Sequence, residues 1–559
     1  MTDLLKRDWP YLLLAIFLIV VATLRAAMFR YGFFTAYDEA YFLLKLKEAY
    51  AMTDITGKSQ WNLIAVKWFP YLDLTSKVNA YIASSLLTGI SVLVSTITCY
   101  IINGKHQFLK CLSLSLLIFS PLFGAQLNYV SMQASVLCWA LCAFVLFYYS
   151  QKEWRKRTFA VICGTQIGIA LFVIIPAAIA TAFAVALLVV VMYSSEVKKL
   201  FIYLSCFLGG GIIAISYIHL FVCPISDIVQ AMLFTASYIG KSGYSYDGSS
   251  FIIQYGLFFR DFLFVLALFA GAYCISRFVG NRLIGGIIYI ILIAIFAKYQ
   301  VKPRASSYMF FASVFVLPFL FEAKSCLSLK RTCKNETWVS LFLVVFPFIA
   351  SLGTNTSLSG RIGCFLIPWL ILWIIVDKHI NQNQWRYVRT GVILLMLIPL
   401  TSTFKQYRQR DDSFHFTRGN EYFSQLAITE KQKQYFDKVY DILQNYQYKP
   451  EESVIFTSVF DYCCLYAFDA VNSSNFHQPQ NFHFFPKEKM VRPDYIFICP
   501  WDSIVLGNEL KGMPWGWPEE FDRYYVGSPE PDDAPWVNNL ELEQRSLYCR
   551  KTLKILADE

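Results

Sequence analysis

The chain has 559 residues, 56% of them apolar and 16% charged, with a formal net charge of +10 at pH 7. A soluble protein of this length needs far more polar surface to cover its core, which excludes an ordinary water-soluble enzyme or binding module. The positive balance is no sign of nucleic acid, because the Lys and Arg fall mostly between long apolar runs, where they set orientation and meet anionic lipid.

An apolar run of about 17–22 residues crosses roughly 30 Å of hydrocarbon as a helix, the form that satisfies its own backbone there. About thirteen spans are expected, near 10–29, 78–101, 108–125, 130–150, 158–175, 177–194, 200–222, 255–276, 283–298, 307–322, 337–352, 363–377 and 388–403. The first follows Lys6-Arg7 without a small-x-small cleavage site and is expected to remain as an anchor. With the N-terminus inside, every second loop is basic: Lys105 and Lys110, Lys152 and Arg155 to Arg157, Lys198 and Lys199, Arg277 and Arg282, Lys324 to Lys334, then Lys378, Arg386 and Arg389. The short loops opposite hold only Lys241, Lys298, Lys302, Arg304 and Arg361. This asymmetry places the chain in the cell membrane with its C-terminal end outside.

The fold expected is therefore a polytopic α-helical membrane protein with a C-terminal extracytoplasmic α/β domain. Residues 1–404 form the transmembrane part, 30–77 its first outer loop, and 405–559 the outer domain. In the tail, Val454–Thr457 and Tyr495–Ile498 read as short buried strands, Tyr422–Tyr446 as helical, and Leu547–Ile555 as a closing strand. Cys463, Cys464, Cys499 and Cys549 fall in this outer domain, where oxidation is allowed, but unpaired thiols fit as well.

Chemistry is expected in the first outer loop, at Tyr37-Asp38-Glu39-Ala40-Tyr41-Phe42. Two acids there lead into an apolar stripe of Phe42, Leu43, Leu46 and Tyr50, with Lys45, Lys47 and Glu48 opposite. The spacing predicts an amphipathic interfacial helix with carboxylates at its N-terminal end. The same pattern suits a helix cap at Asp38 followed by a first-turn acid at Glu39. Further along, Lys67 stands in Val66-Lys67-Trp68-Phe69-Pro70-Tyr71, where it could equally be a snorkelling lysine. Lys302-Pro303-Arg304 precedes the aromatic run Tyr308-Met309-Phe310-Phe311. Arg361 closes a small polar loop, 351–360, that could be a phosphate pocket or a plain turn. Arg25 is expected to face a cavity, Arg260 to pair with Asp261, and the loop 223–254 to cover a substrate.

The Asp-Glu-Ala-Tyr-aromatic string, just after a first span carrying Arg25 and Arg30, resembles the first-loop signature of the C-superfamily membrane glycosyltransferases. It is most similar to the branch of the protein O-mannosyltransferases and the lipid A aminoarabinose transferase, whose span count and outer C-terminal domain the chain also resembles. The resemblance implies an inverting enzyme that moves a sugar from a polyprenyl-phosphate donor to an extracytoplasmic glycan, lipid or protein acceptor. It implies Asp38 as base and Glu39 as its support, with Lys302, Arg304, Arg361, Lys67 and Arg25 for the donor phosphate. The outer domain would help receive the acceptor. No cofactor is required. A divalent metal could bind through Asp38, but no metal motif, nucleotide phosphate loop or Rossmann glycine fingerprint is found. Three other readings stand beside this one. An O-antigen polymerase or ligase should carry its largest outer loop between late spans. A polyprenyl-lipid transporter or flippase should show repeated halves and acids within spans. A scaffold has no use for Asp38-Glu39.

Overall fold

The computed structural model describes residues 2–31, 38–51, 60–104, 107–120, 122–230, 334–352, 361–379, 400–408, 413–457, 462–473, 490–498, 510–511, 513–527 and 545–555, with isolated residues between 233 and 291 and at 393 and 397. Almost all of the expected spans over 255–276, 283–298, 307–322 and 388–403 lie outside the described residues, as do Lys302, Arg304 and the 353–360 loop.

The membrane part opens with α1 (Thr2–Ala27). Two short helices, α2 (Asp38–Ala51) and α3 (Trp61–Trp68), make up the first loop. The chain then runs through α4 (Lys77–Ile102), α5 (Phe108–Phe119), α6 (Tyr129–Tyr149), α7 (Glu153–Val173), α8 (Ile175–Tyr193) and α9 (Val197–Tyr217). Later come α10 (Lys334–Ala350), α11 (Ile367–His379) and α12 (Thr401–Arg408). Among the described residues six helices are long and apolar enough to cross a membrane: α1, α4, α6, α7, α8 and α9. The expected span at 108–125 is shorter, because Gly124 adopts a positive φ of 85° and the chain turns after α5.

α6 lies at the centre of the bundle and is buried almost all round, while α1 leaves most of its surface outside. Asn128 starts α6 with a reciprocal cap, its side chain accepting from Ser131 N–H while the Ser131 hydroxyl takes Asn128 N–H. Against α6, α4 turns a face of buried hydroxyls. Thr88, Ser91 and Ser95 return their protons to the carbonyls of Ser84, Leu87 and Ser91, so these three hydroxyls enter the bundle satisfied. Trp139 of α6 donates to the Ser91 hydroxyl at 3.0 Å.

α7 and α9 cross through glycine. A Cβ at Gly164 would lie 2.0 Å from the Phe207 carbonyl oxygen, and one at Gly210 would lie 2.1 Å from that of Val161. Small residues at such a crossing let backbones touch, which is how helices associate where lipid supplies no hydrophobic contrast.

The C-terminal domain is built on a mixed five-stranded sheet in the order β2-β1-β3-β5-β4. Its strands are β1 (Val454–Phe456), β2 (Val471–Asn472), β3 (Tyr495–Ile498), β4 (Phe521–Tyr525) and β5 (Ser546–Arg550). β1 runs parallel to β2 and β3, whereas β5 is antiparallel to both β3 and β4. Its longer helices among the described residues are α13 (Glu430–Gln444), capped by Thr429, and α14 (Tyr462–Phe468), after a single turn at Glu421–Ser424. β5 is internal rather than the closing edge and is buried along its length, because β4 adds outside it. Cys463 and Cys549 are free thiols, Cys464 shares a hydrogen bond with the Tyr435 hydroxyl at 3.5 Å, and Cys499 lies outside the described residues.

Replacing Gly210→Ala should lower the thermal unfolding midpoint in detergent, at a cost of about 1–3 kcal/mol, because the clash is with backbone that cannot rotate away. Gly209→Ala, whose added carbon meets nothing within 4 Å, should leave the midpoint in place.

Candidate active site

The site is built on the first turn of α2. Asp38 is the first residue of the helix and Glu39 the second, where a helix N-terminus favours negative charge. The Glu39 carboxylate is buried against the start of α4. Lys77 Nζ lies 3.0 Å from its Oε1, with the two side chains only 2% and 6% exposed. The Tyr81 hydroxyl donates to the same oxygen at 2.6 Å. Lys77 also donates to the Tyr31 carbonyl at 3.2 Å, and Gln126 Nε2 donates to the Glu39 carbonyl at 2.6 Å. Backbone and side chain of Glu39 are thus held from two directions.

The rest of α2 does not lie on a free membrane surface as expected. Phe42, Leu43 and Leu46 are buried toward the bundle as predicted, but the opposite side is covered by the C-terminal domain. Tyr41 stacks on Tyr462 of α14, with ring centroids 5.7 Å apart and planes 14° from parallel. Lys47 pairs with Asp469 just beyond that helix. Around these, Tyr466 of α14 donates to the Thr75 carbonyl at 2.7 Å, Tyr422 donates to the Asp73 carboxylate, and Ala427 N–H donates to the Arg30 carbonyl. The first loop and the C-terminal domain therefore stand at the same end of the bundle.

Arg361 is buried and reaches α2 through an aromatic relay. Its guanidinium lies 5.0 Å over the Tyr129 ring and donates to the Tyr129 hydroxyl at 3.0 Å. Tyr129 in turn meets Phe42 edge-on at 5.8 Å. Lys67 is exposed in the last turn of α3, beside Trp68, which stacks on Trp139. Arg25 is part-buried and donates to the carbonyls of Ser120 and Phe123 and to the Thr403 hydroxyl. There it closes the turn after α5, as a cation at a helix C-terminus does. Among the described residues no three His, Cys, Asp or Glu side chains converge in a way that would hold a metal.

Lys77, Tyr81, Gln126, Tyr129 and Tyr466 were not among the residues expected here. The available signal was indirect: a buried acid needs a cationic partner, but Lys45, Lys47, Lys58 and Lys67 all lie nearer to Glu39 in the sequence than Lys77 does.

No protein-family model matches the chain, and no curated protein matches it by sequence. Among solved structures, apo ArnT from Cupriavidus metallidurans superposes with a TM-score of 0.50 at 11% identity, covering 99% of this chain and all of that one. The fold is similar to that of ArnT. ArnT bound to undecaprenyl phosphate gives 0.42 at 12% identity over 98% of this chain and 100% of that one. The oligosaccharyltransferase AglB from Archaeoglobus fulgidus gives 0.43 at 13% identity, over 88% of this chain and 69% of that one.

Burial works to raise the Asp73 carboxyl, but hydrogen bonds from the Thr75 and Tyr422 side chains and the Thr75 amide outweigh it and hold its pKa below the ordinary 3.8. The bond to Asp73, with burial, holds Tyr422 above the ordinary 10.0. Docking through this pair is complete between those values. It is lost as pH falls from 3.8 through the folded pKa of Asp73, and again as pH rises from 10.0 through that of Tyr422. Tyr422→Phe should flatten both limbs of the thermal midpoint plotted against pH, by a small amount because Asp73 is exposed.

Proposed function

We propose that the protein is an inverting glycosyltransferase of the cell membrane, with residues 1–404 carrying the reaction and the outer domain, 405–559, helping to receive the acceptor. The donor is a sugar on a polyprenyl phosphate, and the acceptor is a glycan, lipid or protein at the outer face. The observation that carries this reading is an acid pair on the first turn of a helix clamped between bundle and outer domain, in a fold similar to that of ArnT. ArnT has also been solved with undecaprenyl phosphate, which suits a donor of that class.

In the reaction, an acceptor oxygen attacks the anomeric carbon as the bond to the lipid phosphate breaks, and the acceptor's proton passes to a carboxylate. Glu39 is a poor choice for that proton. It is buried, and one of its oxygens already faces both Lys77 and Tyr81. Asp38 is therefore assigned as the base and Glu39 as its support. The phosphate that departs needs cations. Lys302, Arg304, Arg361 and Lys67 are assigned to it. Arg25 belongs to the same set but is the weakest member, because three oxygens of the protein already take its protons.

Asp38→Asn in membranes supplied with polyprenyl-phosphate sugars should lower release of the free lipid phosphate by about 10²–10⁴-fold while leaving donor binding intact. Unchanged turnover would remove Asp38 from the mechanism. No turnover by the unaltered protein on any such donor would return the transporter reading. Arg361→Gln should instead raise the donor KM more than it lowers kcat.

A further inference from the structure

The helix that starts with Asp38 has few local reasons to hold one position. Its first-turn acids are adjacent, and its apolar stripe turns one side to the bundle without itself holding that turn in place. What holds it is a cluster drawn from three parts of the chain. Lys77 and Tyr81, from the first turns of α4, share one oxygen of Glu39. Lys77 lies 5.5 Å from the Tyr81 ring, which is braced in turn by Phe29 at 5.0 Å. From the C-terminal domain comes Tyr466, itself buried. Ser76 makes no side-chain cap for α4. The Tyr466 hydroxyl reaches the approach to that helix instead, donating to the Thr75 carbonyl at 2.7 Å.

We propose that Lys77 is the positioning residue of this site: it holds Glu39, and with it the first turn of α2, against the start of α4, and Tyr466 ties the same point to the C-terminal domain. The role of that turn in catalysis rests on the reading of Asp38 as base; the tie itself does not. Lys77 acts through Glu39, and it gives the outer domain a direct mechanical link to the acid pair. A ligand that shifts α14 would move the helix end that Asp38 occupies.

Hydrogen exchange of α2 peptides in lipid nanodiscs, followed by mass spectrometry, reads the tie without reference to chemistry. Tyr466→Phe and Tyr81→Phe, each lacking one hydroxyl, should speed exchange of the α2 amides about tenfold, with α13 peptides unchanged. Lys77→Met should speed it further, and Lys77→Arg, which can keep the ion pair, should restore it. In turnover assays the same variants should lower kcat in the same rank order with donor KM unchanged, a split that general unfolding would not produce. If Lys77→Met does not fold, the two hydroxyl deletions decide. Wild-type exchange in both would overturn the proposal, as would a Lys77→Arg protein behaving like one without the cation. If the unaltered protein proves to transfer no sugar, the exchange result still tests the tie, and only the catalytic reading fails.

Discussion

Glu39 and Lys77 have both been taken out of water, and several kcal/mol of lost hydration per ion has to be met inside the protein. Their attraction alone does not meet it. The balance comes from the surroundings: the Tyr81 hydroxyl on the carboxylate, the Tyr31 carbonyl on the ammonium, and the Tyr81 ring beneath it. Removing either partner would strand the other and cost about 3–5 kcal/mol. An apolar pair of equal volume would hold α2 and α4 together as firmly, since buried ion pairs seldom add stability over packed hydrocarbon. It would not fix the helix in one register. A carboxylate bound by two donors at one oxygen permits little sliding or rotation, and the first turn of α2 needs that restriction if an acid there is to meet a substrate in one geometry.

The C-terminal domain extends the restriction. Its contacts fall on three separate pieces of the N-terminal region: the end of the first span, α2, and the stretch leading into α4. Most of them are single hydrogen bonds or surface ion pairs, each worth little. Their force lies in number and spread, since a rigid body touching three points of a flexible loop removes the freedom of all three at once. The domain's interior suits that task. α14 packs its aromatic face into a core shared with the first loop, and Phe416, Phe423, Phe436 and Phe468 form a continuous set of ring contacts behind it. α14 is therefore backed by packed aromatic rings where it presses on α2.

How much of this could be read in the sequence depends on the range of each interaction. Apolar length is a local property, so α4, α6, α7, α8 and α9 fall within a few residues of the expected spans. β1 and β3 were legible as apolar runs for the same reason. β4 was not, because Phe521-Asp522-Arg523-Tyr524-Tyr525 reads as polar until its partner on β5 is known. The amphipathic stripe of α2 is buried at Phe42, Leu43 and Leu46 as expected, but its last member, Tyr50, is exposed and donates to the Leu72 carbonyl. The helix's charged side looks in sequence like one that faces water, and only the docking of α14 shows Lys47 meeting Asp469. Lys77 was the least legible of all. At the head of a span, a lysine is most simply a snorkelling residue, and its true partner is an acid at the other end of the same loop.

The ion pair of Lys77 with Glu39 bears on why two acids stand side by side. Adjacent carboxylates repel, and in a partly dry site each opposes ionisation of the other. A helix N-terminus relieves some of this, but its partial charge is small and shared. Lys77 relieves it more directly by cancelling the charge of Glu39 at 3.0 Å. The second acid is then less a reserve base than a handle. It gives the lysine something to grip, and the grip positions the turn. On this account the second acid of the string, held at one oxygen by Lys77 and Tyr81, fixes the helix end on which the first one stands.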